Sequence, residues 1–295
     1  MTQWTIKALL DWITPFLAQK GVESPRLSAE LLVGHVLDKP RLELYTDFDT
    51  VVSENKLKTL HDLVKRAAEH EPIATLVGYT EFYSLRIHVN GDCLIPRPET
   101  EQLVQQAIEV LRQKRGPLCV LDLCTGSGCI AVAIAQNHPD VTLTATDISE
   151  AALAVAAGNI RSHGLAERIT LLCGDLFDPL AALRQANGFD LIVCNPPYIP
   201  TDVIETLDRN VRDYDPRMAL DGGKSGLDII GRIVRQGPDY LKTGATLLME
   251  IGYDQGAAVR QLIETSGSFD HAYIEKDLQG HDRILKTVRS DMTTT

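Results

Sequence analysis

The chain has no apolar run approaching the ~18–20 residues that span a bilayer. Its start, Met1 to Leu10, lacks a basic stretch followed by an apolar run and a small-residue cleavage site. A cytoplasmic protein with no membrane partner is therefore expected. Positive charge is in deficit too: 29 Lys and Arg face 40 Asp and Glu, a net charge of −11. An affinity built on gripping phosphates calls for a basic surface. The balance speaks against a general nucleic-acid binder, with a local basic patch still allowed. No C-x-x-C pair occurs among Cys93, Cys119, Cys124, Cys129, Cys173 and Cys194. Four of these thiols lie in or beside strand-like runs. They read as small buried hydrophobes in a reducing compartment, not as zinc ligands or disulfides, and no metal is expected.

What is present is enough for a core: 44% of the 295 residues are apolar and 23% charged. At ~100–200 residues per domain, two domains are expected. The first ~70 residues read as helices only. Trp4 to Lys20 carries Ile6, Leu9, Leu10, Ile13 and Leu17 at helical spacing and stops at Gly21. Ser24 before Pro25 reads as an N-cap with proline at the first helical position, opening a helix toward Leu37. Ser53 precedes a third amphipathic stretch through Leu57, Leu60, Leu63, Val64 and Ala67, which Pro72 ends. Residues 1–75 form a small helical bundle on this reading.

From Gly78 to Leu94 the pattern roughly alternates (Phe82, Leu85, Ile87, Val89), and Asn90-Gly91 is a strong hairpin turn signal. Residues 76–97 are expected to be a β-hairpin linker. A helix follows from Pro98, with Leu103, Val104, Ala107, Ile108 and Leu111 on one face. Strand and helix then alternate to the end, so 98–295 reads as an α/β domain. The expected strands are Cys119–Cys124, Val141–Thr146, Ile169–Cys173, Leu191–Cys194, Ala245–Ile251, His271–Glu275 and Arg283–Val288. The first four suit a parallel sheet buried on both faces. The last two are separated only by Asp277 to Asp282, too short for a crossover helix, so they pair antiparallel. The expected fold is a seven-stranded Rossmann-like sheet ending in an antiparallel hairpin, the methyltransferase variation of the doubly wound sheet. The only low-complexity stretch is the Thr293–Thr295 tail.

Val120 to Gly128 runs from a strand into a glycine-bearing turn that opens a helix. Gly126 and Gly128 let the backbone approach a ligand and turn sharply. Gly126-x-Gly128-x-x-Ala131 also satisfies a relaxed dinucleotide fingerprint, so a nicotinamide enzyme stays open on these residues alone. Asp147, ending the second strand, suits both hydroxyls of an adenosine ribose, a role common to both cofactor classes. Asp122 lies within the first strand, where charge is expensive unless it meets loop amides or a cationic ligand. S-adenosylmethionine offers a sulfonium and an ammonium, whereas a dinucleotide presents pyrophosphate, so Asp122 favours the methyl donor. After the third strand, Asp175 is placed to accept from an adenine amino group, and Leu176 and Phe177 to flank the ring, Leu176 the better contact. Phe177 is nearly as well read as core.

Asn195, Pro196, Pro197 and Tyr198 follow the strand Leu191–Cys194, at the carboxyl end where ligands collect in open α/β sheets. Two consecutive prolines stiffen the backbone and remove two N–H donors. The Asn195 side-chain oxygen and the Pro196 carbonyl then form a pair of acceptors for a planar –NH2, with Tyr198 against its π face. An amide or aniline-like nitrogen is a poor nucleophile because its lone pair is delocalised. Holding both its protons aims that lone pair at the donor methyl, and orientation of this kind is worth ~7–11 kcal/mol in favourable cases. The tetrad specifies a planar amino group but leaves adenine, cytosine and glutamine open.

With this tetrad in view, the chain resembles the peptide chain release factor glutamine methyltransferases over nearly its full length. The resemblance also rests on Leu94–Val104, which contains Arg97-Pro-Glu-Thr-Glu101. Further matching blocks are Val211–Leu220 with Gly222-Gly223 and Gly226-Leu227, Glu250-Ile-Gly252, and Asp277–Arg283. It implies a helical N-terminal domain that helps recognise a protein partner, and the Gly-Gly-Gln glutamine of release factors as substrate. The cofactor implied is S-adenosylmethionine, leaving S-adenosylhomocysteine, without a metal or nucleic acid. A monomer is expected. Carried over by position, Asp122, Leu123, Cys124, Thr125 and Gly126 form the donor-binding loop, with Asp147 at the ribose and Leu176 by the adenine. Gly128 and Asp175 join them as donor contacts on the reading of the residues above. Asn195 to Tyr198 hold the substrate amide, and Arg97 lies near donor or substrate. Glu99 is equally well read as a first-turn charge facing the helix dipole. Cys124, where many relatives have glycine, and Asp215, where glutamate is common, are mild departures.

The nearest rival is a sister enzyme acting on a ribosomal-protein glutamine, against which Arg97–Glu101 counts. An adenine or cytosine amino-group methyltransferase predicts a basic groove. A nicotinamide oxidoreductase predicts no such tetrad and no terminal antiparallel hairpin, and a non-catalytic scaffold predicts a broken tetrad.

Overall fold

The computed structural model describes residues 3–183 and 188–291; the Thr293–Thr295 tail lies outside them. The chain divides into two compact units, Met1–Tyr79 with Asp208–Tyr214, and Thr80–Leu207 with Asp215–Thr295. Among the described residues, no helix is long and apolar enough to cross a membrane.

The first unit is helical: α1 (Ile6–Gln19), α2 (Pro25–Leu37), α3 (Arg41–Thr46), α4 (Glu54–Ala68) and α5 (Ile73–Val77). Its core gathers Leu10, Ile13 and Leu17 of α1, Leu32 and Val33 of α2, Leu44 of α3, and Leu60 and Val64 of α4. Thr5 caps α1, its hydroxyl accepting from the Ala8 amide at 3.2 Å. Ser24 does not cap α2 as expected. A capping side chain needs extended backbone, and Ser24 is left-handed at φ 45°, so its hydroxyl is out of register with the first-turn amides. Helix α4 stops at Ala68, before Pro72, and Pro72 instead precedes α5, which ends at left-handed Gly78. The short helices α3 and α5 escape a periodicity reading because neither is long enough to repeat its pattern.

At the start of the second unit, β1 (Tyr79–Phe82), whose first residue closes the first unit, and β2 (Leu85–His88) form the hairpin. Its turn is Tyr83-Ser84, at φ 51° and 60°, and not Asn90-Gly91. Two left-handed residues in a two-residue turn match the right-handed twist of the strands, a role usually filled by Asn-Gly. Here tertiary bonds hold a poor turn sequence in place. The Tyr83 amide donates to Glu101 Oε1 at 2.8 Å, and its hydroxyl to Gln105 Oε1 at 2.7 Å. Asn90 serves a different turn, its side-chain oxygen accepting from the Asp92 amide at 3.0 Å.

Along the chain come α6 (Pro98–Arg112), β3 (Leu118–Leu123), α7 (Cys129–Asn137), β4 (Val141–Asp147), α8 (Glu150–Ser162), β5 (Ile169–Cys173) and β6 (Phe189–Cys194). The short helix α9 (Arg209–Arg212) belongs to the first unit, and α10 (Arg217–Leu220), α11 (Asp228–Gln236), β7 (Leu241–Glu250), α12 (Gly256–Ser266), β8 (Tyr273–Lys276) and β9 (Asp282–Val288) complete the second. The seven-stranded sheet has the order β5-β4-β3-β6-β7-β9-β8. Strands β3 to β7 run parallel, and β9 pairs antiparallel with both β7 and β8. Every residue of β6 is buried, as a central parallel strand requires. Strand β7 starts at Leu241, ahead of the expected Ala245. After buried Leu241 come Lys242, half-buried, and exposed Thr243 and left-handed Gly244, which hide the apolar pattern.

Strand order reverses about β3, whose neighbours are β4 and β6. Register places Leu123 beside both Thr146 and Cys194, so the loops leaving β3, β4 and β6 emerge side by side. An open α/β sheet binds ligands at such a reversal.

Candidate active site

The loop after β3 is left-handed at Cys124 (φ 58°), Gly126 (55°) and Gly128 (78°), so Cys124 has left the strand expected to include it. Gly128 has a packing reason as well: a Cβ there would lie 3.1 Å from the Ala156 Cβ of α8. Beyond Gly126 a Cβ would meet open space, so its backbone conformation alone asks for glycine. The loop is pinned to β4, with the Thr125 amide donating to Thr146 O at 3.0 Å and the Gly126 amide to Asp147 Oδ2 at 2.8 Å.

Asp122 is fully buried beneath this loop. Its Oδ2 accepts from the Thr125 hydroxyl at 2.6 Å, while Oδ1 has no partner. Burial pushes its pKa up to about 7 against the pull of the Thr125 hydroxyl. Asp147 takes a second amide, from Ser149, on Oδ1 at 2.9 Å. Ser149 itself caps α8 by accepting from Ala152 at 3.1 Å, which relieves Asp147 of that duty. Burial raises the Asp147 pKa, opposed by the Ser149, Gly126 and Ile148 amides.

Beyond β5, Asp175 pairs with Arg232 at 2.8 Å. Leu176 is left-handed at φ 50°, and its carbonyl accepts from the Thr146 hydroxyl at 3.1 Å. Phe177 stacks on Tyr240 with ring centroids 4.6 Å apart and belongs to the core.

Beyond β6, the side-chain amide of Asn195 donates to Thr100 Oγ1 at 3.1 Å, and the Tyr198 hydroxyl donates to Glu250 Oε1 at 3.1 Å. The glycines of the following block crowd the tetrad backbone. A Cβ on Gly222 would come 2.8 Å from Pro197 O, and one on Gly226 2.3 Å from Tyr198 O. Neither position admits a side chain without moving the tetrad.

A cleft of about 440 Å³ brings together Cys124, Gly126, Asp147, Asp175, Leu176, Asn195 and Pro197. Its size suits a small-molecule site. Asp122, Leu123, Thr125 and Gly128 stand behind this wall, Pro196 is buried, and Tyr198 packs against the core. Arg97 is not in the wall either. Its guanidinium pairs with Asp215, a buried carboxylate whose pKa burial raises and Arg97 lowers in part. The adjoining Pro216 and Met218 do line the cleft. Glu99 lies in the first turn of α6. Sequence reasoning missed Ile148, which lines the cleft and is half exposed, and Thr100, buried behind Asn195. An apolar residue directly after the ribose-type acid was a usable signal for Ile148. Nothing in the sequence marks Thr100 as buried.

Residues 8–78 match the PrmC N-terminal domain and residues 100–208 the methyltransferase small domain. The chain is 43% identical to the release factor glutamine methyltransferase of Rhodopirellula baltica, over 96% of each chain. It is 42% identical to that of Geobacter sulfurreducens, again over 96% of each. Among solved structures, the catalytic domain of hMettl16 in complex with the MAT2A 3'UTR hairpin 6 shares the fold alone. Its TM-score is 0.56 and its identity 15%, over 82% of this chain and 84% of that one. The near-full-length relatives decide the matter: the chain belongs to the release factor glutamine methyltransferase family.

Proposed function

We propose that this chain moves a methyl group from S-adenosylmethionine to the side-chain amide nitrogen of the glutamine in the Gly-Gly-Gln motif of peptide chain release factors. Membership of a methyltransferase family implies S-adenosylmethionine, and the residues present suit it. Asp122 Oδ1 is a buried acceptor in want of a partner, and the Gly126 Cα faces open space. Asp147 keeps lone pairs beyond the two amides it accepts, enough for two ribose hydroxyls. Leu176 and Ile148 offer apolar surface for an adenine, and Asp175 an oxygen for its amino group. The sulfonium supplies an electrophilic methyl when the donor is bound.

The protein's own part is positional. Asn195 and the Pro196 carbonyl accept the two protons of the substrate –NH2, and Tyr198 braces the group. No strong base is required, because the nitrogen becomes acidic as it is alkylated. The observation that carries this reading is that Asn195, the donor-loop residues Cys124 and Gly126, and Asp147 at the end of β4 line one cleft. The helical unit recognises the partner. A groove of about 690 Å³ in this unit, faced by Trp4 and Trp12, supports that role. We read the enzyme as a cytoplasmic monomer acting on protein and not on nucleic acid, in keeping with its net charge of −11.

The test is to incubate the purified chain with labelled donor and either release factor or naked DNA, then map the modified position by mass spectrometry. Label on the Gly-Gly-Gln glutamine is expected. Label on DNA, with none on the protein, contradicts the proposal.

A further inference from the structure

We propose that Glu250 and Thr100 form a buried positioning relay that decides which end of the Asn195 carboxamide faces the cleft, with Glu250 anchoring Tyr198 at the same time. The relay rests on the reading of Asn195 as the acceptor that holds the substrate –NH2.

Three elements meet here: the first turn of α6 with Thr100, the end of β7 with Glu250, and the segment after β6 with Asn195 and Tyr198. Thr100 is 2% exposed and Glu250 1%. The Thr100 hydroxyl donates to Glu250 Oε2 at 2.7 Å, and Glu250 Oε1 accepts from the Tyr198 hydroxyl at 3.1 Å. An ionised carboxylate only accepts, and a hydroxyl has one proton. Burial raises the Glu250 pKa, while the Thr100 hydroxyl, the Arg283 charge and the Tyr198 hydroxyl favour its ionised form. That proton is committed to Glu250, so Thr100 offers Asn195 nothing but lone pairs. Only the –NH2 end of the carboxamide can meet it, which it does at 3.1 Å.

Turning the carboxamide over would set two acceptors against each other and leave a buried one unsatisfied. Oδ1 is therefore the end left for a ligand in the cleft. An acceptor is what a substrate –NH2 requires; a reversed carboxamide would present donors to donors. Glu250 never touches the substrate. It acts through Thr100 on Asn195, and directly on Tyr198.

The relay is tested on the full-length enzyme with Thr100→Ala, Thr100→Ser and Glu250→Gln, using release factor and labelled donor. Asn195→Ala is the reference. Thr100→Ala and Glu250→Gln should lower kcat by ~10–100-fold, the scale of a misoriented catalytic group. Donor Kd and release-factor KM should stay within about threefold, because the relay lies outside the donor loop. Thr100→Ser keeps the hydroxyl and should restore kcat to within a few-fold. A kcat within twofold of the parent in Thr100→Ala, or a Thr100→Ser as impaired as Thr100→Ala, overturns the relay. With Asn195→Ala inactive, such a result removes the relay alone. With Asn195→Ala active, the reading beneath it falls as well. Should Glu250→Gln fail to fold, the Thr100 pair decides.

Discussion

The carbonyl of Tyr198 accepts a hydrogen bond from Gln255 Nε2 at 2.8 Å, and Gln255 holds Gly226 O with the same nitrogen at 3.2 Å. The Asn195–Tyr198 segment and the glycine-rich block that follows it are thereby fastened to one side chain at the start of α12.

Gly226 is the point of least tolerance in that arrangement. It is left-handed at φ 72°, and an added Cβ would meet Tyr198 O at 2.3 Å. Gly226→Ala should cost about 2 kcal/mol or more, combining backbone strain with a displaced neighbour. Thermal unfolding and turnover check this. Unchanged melting temperature and activity together would contradict the packing described.

Cys124 occupies left-handed backbone at φ 58°, where glycine carries no Cβ penalty. Cys124→Gly should leave donor Kd within about threefold and stability unchanged or improved by up to ~1 kcal/mol, while Cys124→Val loses both. Calorimetric titration of the donor and denaturant unfolding distinguish the two variants.

Asp147→Ala removes the acceptor of the Gly126 and Ser149 amides along with the proposed ribose contact. Donor affinity should fall ~10–100-fold, the scale of lost hydrogen bonds to a charged group. Donor affinity unchanged by calorimetry would remove Asp147 from the site.

The elements that could be read from the chain were those with a local cause. Short apolar runs marked the buried strands β3, β4 and β6. They also marked β5, which lies at the sheet edge with only Ile169 buried and so is not covered on both faces as expected. The close spacing of the last two strands dictated their antiparallel pairing. Two prolines at a strand end marked the tetrad. What could not be read depends on distant partners. Tyr83-Ser84 forms the hairpin turn because Glu101 and Gln105 hold it. Thr100 looks like an ordinary polar residue in a helix's first turn until Glu250, 150 residues away, is folded against it. Arg97 pairs with Asp215, 118 residues further along the chain, a partner that no local pattern marks. Ser24 has the right side chain for a cap but the wrong backbone.

Asp122 gives a stability prediction with a definite sign. Its folded pKa of about 7 lies above the 3.8 of an ordinary aspartate, so burial favours the neutral form. That contribution to stability is fully present below the unfolded pKa and is lost as pH rises through about 7. Asp122→Asn never ionises. Its stability advantage over the parent, measured without donor, should be absent near pH 4 and grow to roughly 2–4 kcal/mol by pH 8. Denaturant unfolding across that range checks it, and a gain that shrinks with rising pH would contradict the burial described.

The most direct test of the central claim is single-turnover methylation by Asn195→Ala, paired with calorimetry of donor binding. The account predicts that release-factor methylation is abolished while donor affinity stays within a few-fold, because Asn195 acts on the acceptor amide. A near-normal single-turnover rate in that variant would contradict it.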